Sequence, residues 1–203
     1  GTNRSAKVII PPITFLATSN SVLYAGGQPF FADISKGVFT LDPGKVQQLA
    51  ESNNGIKGMI PVHMGGVICE MDSLKKIAID NDLWIIEDGC HALGGKWTDK
   101  QGSQHTIGDC SHSDMTVFSF HPVKQITTGE GGAITTNNKF LYESLLTLRT
   151  HGMTKNPQEL KENHGGWYYE MQELGFNYRM TDIQASLGIE QLKKNDEWVK
   201  KRR

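Results

Sequence analysis

Trp84-Ile85-Ile86-Glu87-Asp88-Gly89-Cys90-His91-Ala92 runs an apolar, β-branched strand straight into two carboxylates, then a glycine, a cysteine and a histidine. Short apolar runs of this kind suit a strand buried on both faces, as in a parallel sheet. A buried strand that ends in adjacent acids needs partners for them, because desolvated carboxylates are costly. The plain alternative is a helix cap or a solvated turn. Outward in both directions, similar runs alternate with helical patterns. Val8-Ile9-Ile10 precedes a helix expected over residues 18–24, and Pro29-Phe30-Phe31-Ala32 precedes one over 43–51. Gly58-Met59-Ile60-Pro61-Val62 precedes one over 72–80, which leads back to Leu83-Trp84-Ile85-Ile86. Met115-Thr116-Val117-Phe118-Ser119-Phe120 and Gly132-Ala133-Ile134-Thr135-Thr136 follow, then a helix over 139–149. The alternation reads as βαβ units: an α/β fold with a mostly parallel sheet. Residues 151–175 read as a long loop, and 181–203 as a helix capped by Thr181.

In such sheets ligands sit beyond the carboxyl ends of the strands. Two of these ends carry chemistry: Asp88 with His91, and Lys124 in Phe118-Ser119-Phe120-His121-Pro122-Val123-Lys124, where Gly129-Glu130-Gly131-Gly132 follows closely. A lysine in a dry pocket becomes an amine nucleophile for carbonyls. An acid and a lysine at two strand ends suggest pyridoxal phosphate (PLP), which needs a lysine for its aldehyde and a carboxylate for its pyridine nitrogen. Taken alone, Phe15 reads as core and residues 174–182 as a turn and cap. The spacing of Asp88, Cys90 and His91, even joined by His105, Cys110 and His112, is neither CxxC nor HxxxH, so no metal is expected. No Walker loop or GxGxxG occurs.

Composition narrows the class. The chain has 203 residues, with 21 basic and 22 acidic side chains and a net charge of −1, which argues against nucleic acid as a partner. Three cysteines, Cys69, Cys90 and Cys110, make no disulfide framework and suit a reducing, cytoplasmic setting. No apolar run reaches the ~18 residues of a membrane span, and the start lacks the apolar centre of a signal peptide. Glycine is abundant: 22 of 203 residues is about 11%, against roughly 7% on average. Gly89, Gly129, Gly131 and Gly132 border the Asp88 and Lys124 segments, and Gly175 lies in the turn at 174–182, where backbone must turn tightly or approach a ligand. Both ends read as cut.

At these residues the sequence resembles the DegT/DnrJ/StrS sugar aminotransferases, which are fold-type-I PLP enzymes. The resemblance rests on ordered motifs along nearly the whole chain. They are Thr14-Phe15-Leu16-Ala17-Thr18, Ile60-Pro61-Val62-His63, Ile86-Glu87-Asp88 with His91-Ala92, Phe118-Ser119-Phe120 with Lys124, residues 128–132, Leu148-Arg149-Thr150-His151-Gly152 and Gly175-Phe176-Asn177-Tyr178-Arg179-Met180. It implies a three-layer α/β/α large domain over residues 1–180, lacking its N-terminal phosphate loop. Residues 181–203 would begin the long helix towards an absent small domain. It also implies roles. Lys124 would bind the cofactor covalently and then move the proton, Asp88 would pair with the pyridinium nitrogen, and His91 would lie beside the ring hydroxyl. Ser119 would bond the phosphate, Phe15 would stack on the ring, and Glu130 would help shape the loop beside Lys124. Asn177 would reach the phosphate of the neighbouring subunit, which implies a homodimer with shared active sites.

Lysine at 124, where related dehydratases carry histidine, marks a transaminase. Glutamate would donate the amino group to a keto sugar linked to a nucleotide. His121-Pro122-Val123-Lys124 and Gly166-Trp167-Tyr168-Tyr169-Glu170-Met171 look closest to members acting on UDP-linked 4-keto-6-deoxy amino sugars for pseudaminic acid. The alternative is a non-catalytic or truncated relative that binds sugar or PLP without turnover.

Overall fold

Residues 6–202 are described by a computed structural model, in which the apolar runs become the strands of one sheet. In chain order the elements are β1 (Lys7–Ile10), α1 (Leu16–Tyr24), β2 (Gln28–Phe31), α2 (Pro43–Ser52), β3 (Ile56–Met59), α3 (Met71–Asn81), β4 (Trp84–Asp88), β5 (Lys96–Thr98), β6 (Gln104–Thr106), β7 (Met115–Ser119), β8 (Gly132–Thr135), α4 (Lys139–Leu148), β9 (Met153–Thr154), β10 (Glu170–Met171), α5 (Asp182–Leu192) and α6 (Asn195–Arg202). The six-stranded sheet has the order β2-β1-β3-β4-β7-β8. Its pairs are parallel except β7–β8, which is antiparallel. The mostly parallel α/β sheet read from the sequence is what the chain forms.

Strand period divides the core. Ile9, Met59 and Ile85 face one side and pack with Val46 of α2 and Leu74 and Ile77 of α3. Val8, Ile10, Trp84 and Ile86 face the other, with Val22 of α1. Helices therefore cover both faces, as fully buried parallel strands require. Each fully buried large aliphatic contributes about 1.5–3 kcal/mol. Gly58 sits opposite Trp84 in the β3–β4 register. A Cβ there would lie 2.0 Å from Trp84 Cδ2, so the missing side chain makes room for the indole.

Local signals set the helix starts. Asp42 accepts from the N–H groups of Gly44 and Lys45 before Pro43 opens α2. Asn138 does the same for α4, and Thr181 and Gln184 close a capping box on α5.

Three features depart from the sequence reading. The expected last helix is two, α5 and α6: Lys194 N–H bonds Gln191 O three residues back. Asn195, a poor interior helix residue, turns its buried side chain against Gly94. An unforeseen antiparallel hairpin, β5–β6, stands apart from the main sheet. The 151–175 stretch carries the short pair β9–β10, where the Glu170 carboxylate accepts from Lys161 N–H, Glu162 N–H and the Tyr168 hydroxyl. Among the described residues no helix is long and apolar enough to cross a membrane. Residues 1–5 of the expected large domain, and residue 203 at the end of the expected helix, lie outside the described residues.

Candidate active site

β4 and β7 are parallel neighbours, with Asp88 opposite Val117, so their carboxyl ends lie side by side. Successive side chains on a strand point to opposite faces, and this separates the two acids. Glu87 turns inward and is buried. Its Oε2 lies 2.8 Å from His63 Nε2, and its Oε1 accepts from the hydroxyls of Thr116 (3.1 Å) and Ser113. Cys69 N–H donates to His63 Nδ1 at 3.2 Å. The imidazole proton therefore sits on Nε2 and points at Glu87. Three donors offset the burial of this carboxylate.

Asp88 turns to the other face and is half-buried. Its Oδ1 accepts from Cys90 N–H at 3.1 Å, and its Oδ2 accepts from the Thr18 hydroxyl at 3.2 Å. Thr18, buried on α1, was not given a role by sequence reasoning. Its one signal was a polar residue inside an apolar helix face.

His91 follows on the turn. Gly65 N–H donates to its Nδ1 at 3.3 Å, which leaves the proton on Nε2. Burial lowers its pKa, the Lys124 ammonium lowers it further, and Asp88 opposes them, so the ring is held neutral. The Gln125 side-chain amide donates to the His91 carbonyl, tying this turn to the loop that carries Lys124. Cys90 between them is an inert thiol. Burial first, and Asp88 second, push its pKa up to about 12, and a protonated thiol ligates metals poorly. Cys110 lies elsewhere, its Sγ against Thr116 and Thr135.

Lys124, half-buried, stands in a turn closed by its own N–H to His121 O at 2.9 Å. Its loop is pinned. Phe120 N–H bonds Gly131 O and Thr128 N–H bonds Phe120 O. From α5, Gln191 Oε1 accepts from Thr127 N–H at 2.7 Å, and the Gln184 side-chain amide donates to Glu130 O at 2.9 Å. The Glu130 side chain is exposed. Ser119 ends β7, and its hydroxyl oxygen accepts from His121 N–H at 3.3 Å. Phe15 caps α1, one turn before Thr18, with its ring 74% exposed.

Asn177 is not brought to this group. It is exposed, bridged to Thr150, and among the described residues its side chain makes no hydrogen bond to the cluster. Gly175 is likewise packed against the backbone of Gly152, His151 and Leu148, which accounts for it without a ligand.

The fold thus gathers an amine, a restrained carboxylate and a neutral imidazole donor at adjacent strand ends, with Phe15 one turn before the threonine that bonds Asp88. That set can hold an aromatic aldehyde with a basic ring nitrogen: the amine meets the carbonyl, and the carboxylate meets the protonated nitrogen.

Comparison with known proteins agrees. Over 196 residues the chain is 39% identical to the UDP-4-amino-4,6-dideoxy-N-acetyl-β-L-altrosamine transaminase of Campylobacter jejuni strain 81-176, covering 96% of this chain and 48% of that protein. The solved structure of Helicobacter pylori PseC, an aminotransferase of pseudaminic acid biosynthesis, matches with a TM-score of 0.82 and 32% identity, over 97% of this chain and 48% of that one. A Streptococcus pneumoniae structure described as a sugar aminotransferase in its PLP form matches with a TM-score of 0.79 and 28% identity, over 95% and 50%. The chain spans about half the length of these relatives. The description "DegT/DnrJ/EryC1/StrS aminotransferase family" fits residues 1–203, and the chain belongs to that family.

Proposed function

We propose that this chain carries the large-domain machinery of a PLP-dependent aminotransferase. It moves an amino group from glutamate to a keto group, the 4-keto, of a nucleotide-linked deoxy sugar, for cell-surface or secondary-metabolite sugars. The observation that carries this reading is the pairing of restrained Asp88 at the end of β4 with Lys124 beyond the end of β7. Bound PLP supplies an electron-accepting ring as long as its pyridine nitrogen stays protonated. Asp88 keeps it so: each carboxylate oxygen accepts one bond here and retains a lone pair for the ring N–H. His91, with its proton on Nε2, offers a donor to the ring hydroxyl. Lys124 holds the cofactor through its amine and moves the proton of the amino transfer. Ser119 bonds the phosphate and Phe15 covers the ring face. Asn177, standing outside the cluster of its own chain, serves the phosphate of a partner subunit in a cytoplasmic homodimer. The UDP-sugar relatives support a UDP-linked substrate.

Protein mixed with PLP should gain the absorption band of a lysine-bound cofactor, and borohydride should fix the label on Lys124. Glutamate should convert the cofactor to its amine form, and Lys124→Ala should abolish this. A label on another lysine, or a Lys124→Ala protein that still converts glutamate, would overturn the reading.

A further inference from the structure

Away from Asp88 and Lys124, the β5–β6 hairpin assembles a second chemical cluster. Asp99 lies just after β5, His105 lies within β6, and His112 lies in the segment that leads to β7. One ligating atom from each lies within 4.8 Å of the other two. We propose that Asp99, His105 and His112 bind a divalent transition-metal ion of the zinc class.

The donor set suits it, because two imidazoles and a carboxylate are the ligands of zinc sites that have three protein ligands and water in the fourth position. Tetrahedral donors at zinc distances of about 2.1 Å stand roughly 3.4 Å apart. Asp99 Oδ2 and His105 Nε2 are already 3.0 Å apart, so only a short inward movement of His112 is needed.

The ligands are also held from behind. Asp99 Oδ1 accepts from Gln101 N–H (2.9 Å) and Ser103 N–H (2.7 Å), which leaves Oδ2 for the ion. His105 Nδ1 faces Asp109 Oδ2 at 3.1 Å. This is the carboxylate–histidine arrangement that fixes a metal-binding tautomer and strengthens the ligand. His112 is held whichever nitrogen it offers: Asp72 Oδ1 lies 3.2 Å from Nε2, and Ser111 Oγ lies 3.0 Å from Nδ1. Trp97 contacts both imidazoles, each ring centroid 4.8 Å away, and forms an apolar wall. The three ligating side chains are only 8–16% exposed.

Charge points the same way. Three carboxylates, Asp72, Asp99 and Asp109, surround two imidazoles. With both rings neutral the group carries three negative charges, which a divalent ion held by Asp99 and the two rings offsets in part. The spacing 99, 105, 112 resembles no linear zinc motif, because the hairpin register and the return to β7 bring the residues together only after folding.

The test is metal binding by the untagged protein, measured by equilibrium dialysis with Zn²⁺ and by visible absorption with Co²⁺. The expected result is one ion per chain and an intense tetrahedral cobalt spectrum without a thiolate charge-transfer band. His105→Ala and His112→Ala should each weaken binding by more than about 100-fold, beyond what losing a supporting partner costs. His164→Ala, at an exposed histidine elsewhere, should leave it unchanged. If either alanine variant fails to fold, His105→Gln, His112→Gln and Asp99→Asn replace it, with the same loss expected. No ion bound, binding that survives in both histidine variants, or a thiolate band would overturn the proposal. So would a cluster whose loss lowers the melting temperature while the wild type binds no metal, which would mark it as a proton-held clasp.

Discussion

Glu87 and Asp88 are one bond apart in sequence and in opposite circumstances. Glu87 is sealed among His63, Ser113 and Thr116, while Asp88 faces the strand ends with one partner on each oxygen. Cys90 shares Asp88's surroundings, and its chemistry follows from them. With its pKa raised to about 12 by burial and Asp88, the thiol stays protonated through the whole working pH range. Only the thiolate reacts. Alkylation of Cys90 at pH 8, followed by mass spectrometry, should be about a thousandfold slower than that of a free thiol with pKa ≈ 8.5, and should stay low as pH rises through 9. Rapid labelling at pH 8 would contradict this environment. The sequence made Asp88 and Lys124 legible because each follows an apolar strand. It did not reveal Glu87's partners, which lie 24, 26 and 29 residues away. Nor did it reveal Thr18, whose partner is 70 residues off.

Whole elements were easier to read where they were long and periodic. The six-stranded sheet follows from apolar runs broken by helical patterns. The β5–β6 hairpin escaped because its strands are three residues each and flank the polar turn at Asp99. The β9–β10 pair escaped because its strands are only two residues each and lie far apart in the chain. That pair rests on a close backbone crossing. Gly152 has φ +69°, and a Cβ there would stand 1.8 Å from Glu173 O. The fixed atom is backbone, so no rotamer change relieves it. Gly152→Ala combines left-handed strain with overpacking and should destabilise the protein by about 2–4 kcal/mol, read as a lower denaturant midpoint. An unchanged midpoint would mean that the crossing is not maintained in solution.

Across the molecule, large apolar side chains remain on the outside: Tyr24 is 86% exposed and Leu174 84%, with Phe15, Phe140, Trp167 and Tyr178 all above 70%. Apolar surface of this kind is what the proposed pairing of two copies of the chain would cover. The proposed sharing of active sites between two copies gives a sharp outcome. Lys124→Ala and Asn177→Asp proteins, each inactive alone, should regain activity when unfolded and refolded together, because one site of the mixed dimer carries neither change. Mixed dimers that stay inactive would sink the sharing. The family was legible from the order of its motifs. The outward face was not, because period alone does not tell which apolar residues a fold leaves uncovered.

The break between α5 and α6 has a mechanical meaning. α5 grips the loop after Lys124 through Gln184 and Gln191. α6 bears on the turn after His91, where Asn195 and Val199 meet Gly94. The two helices join at Lys193-Lys194, so consecutive helices brace the amine's loop and the turn that follows His91. One short stretch of chain thus braces the loop after the amine and the turn beyond the carboxylate together.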